Sequence, residues 1–517
     1  MVVQTEDNMD SSLMQENRIH GGILARNTAL NFVGSLVPLV VALLVTPYVI
    51  HGLGVERFGV LSLAWAILWY SSYFDLGLTR ATTKFASEAL SKGQHEKIPA
   101  ILWTSLTIQA LMGVVAAVAV GLVTSFLVDR VLHIPASLAR ESKLAFYLMG
   151  GAIPFLLISN VLSALLAGAH RFDLINAVKI PGNSSMFLLP AAGIYLGFRL
   201  PGIVMLLLLS WAGIGLALTL LCLRVFPGLE SGRKKDRSIT TPLLKFGSWV
   251  TVCNLLIPVL VYADRFVIGA VLSIAAVAYY AVPYEVVSRL QVIPGSIGSA
   301  LFPAFSSFSV RDHERMKNLY ERSLKTVLLL MAPAAMLLAV FADKALRLWV
   351  GTDFAVHGTK TLQVLAVGLV LNALSQMPAN LLDAAGRPDL RAKVFLTYVL
   401  PYLAALWFCV HKFGILGAAI AWTARGAVEF VIFLLVASRH LRLPIFAFAE
   451  NGMMRAVAAC GGLAVCLLVL NATAFEGLLV QGSGAVIGIV VFIVVTWRFV
   501  LDSTDRQSLV AVIWGVR

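Results

Sequence analysis

The sequence predicts an all-α integral membrane protein of about fourteen transmembrane helices. Of the 517 residues, 59% are hydrophobic and only 13% are charged, and the mean hydropathy is +0.87. Apolar runs long enough to span a bilayer recur from residue 28 to residue 501. A soluble domain carries about 25% charged residues, so we expect lipid to surround most of this chain.

The amino-terminal stretch at 1–25 is acidic and has no apolar core, so it is not a cleavable signal sequence. Windows of about 19 residues place the spans that follow it. The first six are predicted at 29–50, 58–78, 99–128, 144–169, 172–197 and 201–224. The second six are predicted at 243–272, 275–303, 325–348, 361–384, 394–413 and 415–438, and two more at 453–471 and 478–500.

These spans group into five segments along the chain. They are a cytoplasmic tail at 1–25, an amino-terminal lobe at 26–225, a basic cytoplasmic linker at 226–242, a carboxy-terminal lobe at 243–440, and two last helices with a tail at 441–517. The second set of spans weakly echoes the first, because Phe32, Gly34 and Ser35 resemble Phe246, Gly247 and Ser248. Two lobes of about six helices in one orientation, with a midplane site between them, describe an alternating-access transporter.

Basic residues lie mainly in the even-numbered connections between spans. With the two tails, these connections carry roughly 28 Lys and Arg, against about 9 in the odd-numbered connections. Because cytoplasmic loops are enriched in Lys and Arg, we predict both termini in the cytoplasm of a cell with a bacterial-type inner membrane. This topology also explains the net charge of +13. Nucleic acid is not an expected partner, since the basic residues do not line one face with interleaved aromatics.

Ionisable residues in the predicted spans are the candidates for function, because a charge near the bilayer centre costs about 2.5 to 3.5 kcal/mol and must face protein or water. They are Asp75, Asp264, Arg265, Glu285, Arg289, Asp383, Arg425 and Glu429, with Arg80 just beyond its span. Glu285 and Arg289 are four residues apart, as are Arg425 and Glu429, so each pair shares a helix face. Mutual neutralisation and a functional role both remain open for these two pairs.

Arg265 is the main candidate for substrate contact. Successive helical residues project about 100 degrees apart, so Asp264 need not neutralise it. A guanidinium binds phosphate through two parallel hydrogen bonds and keeps its charge at any relevant pH. Arg265, with help from Arg289, Arg425 and Arg80, therefore suits a pyrophosphate group.

Carboxylates are the candidates for carrying or balancing a coupling ion. They are Asp75, Asp264, Glu285, Asp383 and Glu429. Asp75 and Asp383 have no partner four residues away, but both lie near predicted helix ends, which weakens the case for a cation exchanger. Tyr262 and the tyrosines at 279, 280 and 284 either stack on sugar rings or form interfacial belts.

No cofactor is predicted. The chain has no GxxxxGK[ST] loop for a nucleotide. Its five cysteines show no CxxC spacing for a metal site or a disulfide framework.

Five stretches of the sequence are distinctive. They are FDLGLTRATTKF at Phe74 to Phe85, YADRFVIGAVLSIAAVAYYAVPYEV at Tyr262 to Val286, LRLWVGTDF at Leu346 to Phe354, AAGRPDL at Ala384 to Leu390 and GILGAAIAWTAR at Gly414 to Arg425. These stretches resemble the polysaccharide transporter (Wzx-type O-antigen flippase) family. The resemblance extends from about residue 25 to 440, and the YADRF stretch is its most specific part. This family belongs to the group that also contains multidrug and toxin extruders and the lipid II flippase.

The resemblance implies two lobes around a cationic cavity and a substrate of undecaprenyl pyrophosphate carrying an oligosaccharide for O-antigen, capsule or exopolysaccharide. It also implies coupling to a proton or sodium gradient or to the membrane potential, and work alongside glycan polymerases. Two rival functions stay open. One is a cation-coupled multidrug exporter of the same superfamily, and the other is a membrane glycan polymerase or ligase, although the longest connection is only about 20 residues and leaves no room for an outer domain.

Overall fold

The computed structural model describes residues 36–72, 75, 77–229, 248–311, 313–441, 452–472, 478–502 and 506. Within these ranges every regular element is a helix. The predicted tail at 1–25 and most of the predicted linker at 226–242 lie outside them. The chain divides into two compact units, Met1–Leu255 (the first unit) and Leu256–Arg517 (the second unit). The finer five-segment division remains a prediction.

The first unit contains the helices α1 to α7. Their bounds are Leu36–Leu53 (α1), Val55–Ser72 (α2), Leu78–Ser91 (α3), Ile98–Phe126 (α4), Ala136–Gly168 (α5), Phe172–Tyr195 (α6) and Leu200–Val225 (α7). A short 3-10 turn at His95–Lys97 precedes α4, and a π-helical turn at Leu127–Val131 follows it.

The second unit contains most of α8 and the helices α9 to α17. Their bounds are Ser248–Val271 (α8), Ile274–Leu290 (α9), Val292–Arg311 (α10), His313–Val340 (α11), Ala342–Val350 (α12), Thr352–Ala384 (α13), Pro388–Phe413 (α14), Ile415–Leu441 (α15), Met453–Ala472 (α16) and Leu478–Val495 (α17). A π-helical turn at Thr496–Val500 extends α17.

Ten helices in the described residues are long and apolar enough to cross a membrane. The chain is therefore a multi-pass, all-helical membrane protein, as predicted. The count of about fourteen spans remains a prediction, because α2, α6, α8 and α9 are not among the ten.

Two predicted spans are broken in the structure. The span predicted at 58–78 ends at Ser72, and α3 begins at Leu78 after Gly77, whose φ is 73°. The span predicted at 275–303 becomes α9 and α10, which meet at Gln291. Pro294 has no N–H to carry the hydrogen-bond ladder through this junction. Hydropathy does not detect either break, because it averages over a window that includes both helices.

One long helix forms the packing centre of each unit. The helices α5 and α13 are both 33 residues long. In the first unit, α5 packs against α2, α3, α4 and α7, and in the second unit α13 packs against α9, α10, α11, α12 and α15. Small residues allow this contact: a Cβ on Gly113 of α4 would lie 2.7 Å from the Cα of Pro154 in α5.

A sequence repeat marks the end of both central helices. The pattern LLxxAxRxDL occurs at residues 165–174, across the end of α5 and the start of α6, and at 381–390, across the end of α13 and the start of α14. His170 has a φ of 56° and Gly386, at the matching position, a φ of 75°. Nε of the Arg lies 3.0 Å from Oδ1 of the Asp in both copies, Arg171 with Asp173 and Arg387 with Asp389. The weak echo between Phe32 and Phe246 lies outside the described residues, but this motif supports an internal repeat.

The helix α16 packs on α11, and α17 packs on α16. Leu329 and Ala332 of α11 share a buried apolar cluster with residues of α16 and α17, including Cys460 and Phe492. Two lysines contact the ends of the helices α16 and α17. Lys325 lies 3.6 Å from Asp502, and Lys344 donates to Asn471 at 3.0 Å and to Gln481.

Candidate functional site

Apart from Asp383, the predicted intramembrane charges of the second unit lie in two adjoining clusters. The first cluster forms where α8 lies beside α9. Asp264 on α8 is 1% exposed, and its carboxylate accepts hydrogen bonds from the backbone N–H of Arg265 at 2.8 Å and from the hydroxyl of Tyr280 at 2.5 Å. As predicted from helical geometry, Asp264 does not hold the guanidinium of Arg265.

Arg265 is held instead by the next helix. Its side chain is 3% exposed, and its Nη2 donates to Glu285 Oε1 at 3.0 Å. The guanidinium also lies over the rings of Tyr262 and Tyr284, with 5.3 and 5.1 Å to the centroids. These aromatic faces and the carboxylate together offset the loss of water around a buried cation.

Glu285 is shared by two arginines. Arg289, one helical turn further along α9, donates to Glu285 Oε2 at 3.3 Å, so the predicted pairing of these two residues is present. The side chains of Glu285 and Arg289 are 36% and 30% exposed. The first cluster therefore has a buried cation, Arg265, and an accessible edge formed by Glu285 and Arg289.

The second cluster centres on Arg425 of α15. Its Nη1 donates to the carbonyl of Leu260 at 2.6 Å, and its Nη2 donates to Asn372 Oδ1 at 3.3 Å. Glu429 lies 3.5 Å from Nε and accepts a hydrogen bond from the hydroxyl of Tyr398. This confirms the predicted pair as an ion pair, although the two hydrogen bonds of Arg425 given above go to other groups.

Small residues bring α13 and α15 close enough for these contacts. A Cβ on Gly426 would lie 2.4 Å from the side-chain nitrogen of Asn372, and a Cβ on Gly368 would lie 2.6 Å from the ring of Trp422. The two clusters adjoin on α8, because Leu260 precedes Asp264 by one helical turn. Tyr284 also contacts both, since its ring lies edge-on to Trp422 and over Arg265.

Asp383 lies apart from both clusters, at the end of α13. Its Oδ2 is 2.6 Å from Nη1 of Arg391 on α14. No partner was predicted for Asp383, because Arg391 is eight residues away and on another helix. Nearby, Arg387 and Asp389 form the ion pair of the repeat motif.

The two candidates in the first unit differ in their surroundings. Asp75 lies in the turn between α2 and α3, where its Oδ1 accepts from the backbone N–H of Thr79 and from Gln109 Nε2, both at 2.9 Å. Arg80 is exposed and forms no ion pair with another described residue. The search for charged residues missed Gln109, because its side chain is neutral. The signal that could have found it is a polar residue inside a helix that has no charges.

Tyrosines form the other class of missed residues. Tyr280 and Tyr284 are buried and bind the charged groups, and Tyr398 and Tyr402 do so around Arg425. Among the described residues these four tyrosines contact charged groups; stacking on sugar rings or an interfacial belt was predicted for Tyr280 and Tyr284, and no role was predicted for Tyr398 and Tyr402. No group of three or more His, Cys, Asp or Glu able to hold a metal occurs in the described part of the chain.

Comparisons with known proteins agree with this architecture. Residues 53–357 match the family of polysaccharide biosynthesis proteins. The putative O-antigen transporter of Shigella flexneri is 30% identical over 413 residues, which cover 78% of this chain and 94% of that protein.

Two solved structures share the fold. The lipid II flippase MurJ, in an inward closed conformation, aligns with a TM-score of 0.69 at 14% identity and covers 92% of this chain and 99% of that one. An inward-facing multidrug resistance MATE family transporter of the MOP superfamily aligns with a TM-score of 0.67 at 16% identity and covers 79% and 98%.

Proposed function

Because the chain belongs to the polysaccharide biosynthesis protein family, we propose that it is a flippase for a lipid-linked oligosaccharide. It carries a polyprenyl-pyrophosphate-linked saccharide across the inner membrane by alternating access, with both termini in the cytoplasm. The saccharide is a unit of O-antigen, capsule or exopolysaccharide. The name of the Shigella relative and the fold shared with a lipid II flippase support this proposal.

The observation that carries the proposal is the sharing of Glu285 by Arg265 and Arg289. Two guanidiniums that converge on one carboxylate present donors in the arrangement that a pyrophosphate needs, because each guanidinium can bind a phosphate through parallel hydrogen bonds. The pyrophosphate of the substrate then competes with Glu285 for the same two cations. Tyr262, which lies under the guanidinium of Arg265, supports this cation.

The competition offers a way to couple substrate and ion. When the pyrophosphate takes Arg265 and Arg289, the carboxylate of Glu285 loses both cations in a half-buried position. An isolated buried carboxylate is costly, so Glu285 binds a coupling cation or turns towards water. When the pyrophosphate leaves, Glu285 returns to the two arginines and the site resets.

The paired carboxylates disfavour the rival exporter of small cations. In the described part of the second unit, Glu285, Asp383 and Glu429 each form an ion pair with an arginine, and Asp264 accepts a hydrogen bond from Tyr280 and lies next to Arg265. A site for an organic cation needs carboxylates whose negative charge is not neutralised by a cationic side chain of the protein. The rival glycan polymerase or ligase is disfavoured by the family and by the shared fold of transporters, so we propose a role without catalysis.

Depletion of the protein tests the proposal directly. We expect polyprenyl-pyrophosphate-linked oligosaccharide to accumulate and to stay on the cytoplasmic leaflet, and purified protein in lipid vesicles to flip that same lipid. Accumulation of lipid-linked saccharide units on the outer leaflet would instead indicate a polymerase or ligase. Resistance to organic cations without any glycan defect would support the exporter.

A further inference from the structure

A carboxylate and an amide meet inside the first unit. Asp75 lies in the turn between α2 and α3, and Gln109 lies in the middle of α4. Oδ1 of Asp75 accepts one hydrogen bond from Gln109 Nε2 and one from the backbone of Thr79, both at 2.9 Å. These contacts join three segments of the first unit at one carboxyl group.

Within the described residues, two buried oxygens of this site have no hydrogen-bond partner, Gln109 Oε1 and the hydroxyl of Thr79. Gln109 is 0% exposed, and among the described residues its Oε1 accepts no hydrogen bond. A buried acceptor without a donor is rare, because it has lost the hydrogen bonds of water without replacement. Oε1 is bonded to the same carbon as Nε2, so the unpartnered oxygen belongs to the amide whose nitrogen contacts the Asp75 carboxyl.

No described cation contacts Asp75. Arg80 of α3 lies close enough for its charge to act on Asp75, but it is exposed and forms no ion pair with that carboxyl among the described residues. Lys84, the next basic residue on α3, pairs with Glu88. The helix α4 has no charged residue, α2 has charges only in its first turn, and α5 has none after residue 143.

A proton on Asp75 satisfies both the carboxyl and the amide. An ionised carboxylate can only accept hydrogen bonds, whereas the protonated acid also donates one. If Oδ2 carries the proton, it donates to Gln109 Oε1 while Oδ1 still accepts from Nε2. The acid and the amide are then joined by two parallel hydrogen bonds, and the neutral form is the one that burial favours.

We infer that Asp75 and Gln109 form the proton-binding site of this protein, in which Asp75 carries the proton and Gln109 is a positioning residue that recognises the protonated acid. As an assignment of the coupling ion, this inference rests on the proposed transport function. The assignment of Asp75 as a protonation site depends only on its hydrogen bonds with Gln109 and Thr79. It is separate from the arginine cluster, which binds the substrate in the second unit.

A proton fits this site better than a metal cation. Hard cations such as Ca²⁺ and Mg²⁺ take about six oxygen ligands. Besides the carboxyl, the unpartnered described oxygens here are Gln109 Oε1 and the hydroxyl of Thr79. A sodium ion would need further ligands, whereas a proton needs one acceptor, which Gln109 supplies.

Infrared difference spectroscopy of the purified full-length protein tests the site without substrate. As the pH is lowered from about 8 to about 5, we expect the C=O band of a protonated carboxyl to appear in the wild type and to be absent in Asp75→Asn. In Gln109→Leu the band should move to higher wavenumber, because the acid loses both hydrogen bonds. The matched control is Thr82→Val, which removes the buried hydrogen bond to Ser105 between α3 and α4 and should leave the band unchanged.

A band that persists in Asp75→Asn, or that keeps its wavenumber in Gln109→Leu, would overturn the inference. Transport in vesicles then tests coupling. We expect Asp75→Asn to lose proton-driven flipping by about tenfold or more while exchange without a gradient continues. Flipping by the wild type that a sodium gradient drives and a proton gradient does not would also overturn it. A wild type that shows the titrating band but flips no lipid-linked oligosaccharide would instead refute the proposed function.

Discussion

Arg265 Nη2 lies 3.0 Å from Glu285 Oε1, and this contact joins α8 to α9. The pair is asymmetric, since Arg265 is 3% exposed while Glu285 is 36% exposed. Because the carboxylate is the more accessible partner, an incoming anion can displace it while the arginine stays in place. The first two predictions concern the two sides of this pair.

Arg265→Ala should reduce the flipping rate by at least about tenfold, since it removes one of two cations for the pyrophosphate. Arg265→Lys should fall between Ala and the wild type, because Lys keeps the charge but cannot bind phosphate through two parallel hydrogen bonds. The measurement is flipping in vesicles with equal amounts of protein. Arg199→Lys, at a side chain that is 80% exposed, serves as the control. Wild-type rates in both Arg265 variants would remove this residue from the mechanism.

Glu285→Gln should strengthen binding of the pyrophosphate and slow its release. The amide keeps the size of the side chain but no longer competes as an anion for Arg265 and Arg289. We expect KM to fall severalfold and the maximal rate to fall about tenfold. Both follow because the variant no longer destabilises the bound pyrophosphate. Glu88→Gln, in an exposed pair with Lys84, should change neither quantity. Weaker binding by Glu285→Gln would contradict the competition between carboxylate and pyrophosphate.

Gly417→Ala should destabilise the second unit by about 1 to 3 kcal/mol through overpacking. A Cβ at this position would lie 1.9 Å from the carbonyl oxygen of Cys409, where α14 meets α15. Gly461→Ala is the matched control, since nothing lies within 4 Å of its Cβ position in α16. Because Ala has the higher helix propensity, the control should be neutral or stabilising by up to about 1 kcal/mol. Thermal unfolding in detergent measures both, and equal midpoints would show that α14 and α15 are further apart than described.

The repeat motif predicts opposite effects at its two matching positions. Gly386 has a φ of 75° and His170 a φ of 56°, a left-handed conformation that costs a residue with a Cβ about 1 to 2 kcal/mol. Gly386→Ala should therefore lower the free energy of unfolding by about 1 kcal/mol, and His170→Gly should raise it by a similar amount. The same unfolding assay measures both variants. A stabilising Gly386→Ala would exclude the left-handed conformation.

The contacts that were predicted from the sequence and confirmed by the structure join residues of the same helix. Glu285 with Arg289 and Arg425 with Glu429 follow from helical periodicity, which places residues four apart on one face. The repeat motif at 165–174 and 381–390 was also available from sequence, and a search for identical residues at one fixed spacing would have found it before the weaker echo near Phe32.

Contacts between helices were not available from sequence. The partners of Arg265 and Asp383 are Glu285 and Arg391, which lie on other helices, and no periodicity within one helix relates such residues. Gln109 was missed for a different reason, since it carries no charge and a search for intramembrane ions passes over it. A neutral polar side chain such as Gln109 can be identified as a candidate only from the structure, which shows which of its atoms lack a hydrogen-bond partner.

By itself, the sequence determined that lipid surrounds the chain, roughly where the helices run and which ionisable residues lie within them, because hydropathy and helical periodicity act over neighbouring residues. The tertiary structure decided which of those charges meet, because partners on separate helices are set by packing around α5 and α13. It assigned Glu285 to two arginines and left Asp75 with an amide as its partner. That difference, between a carboxylate with paired cations and one without, is what separates the proposed substrate site from the inferred proton site.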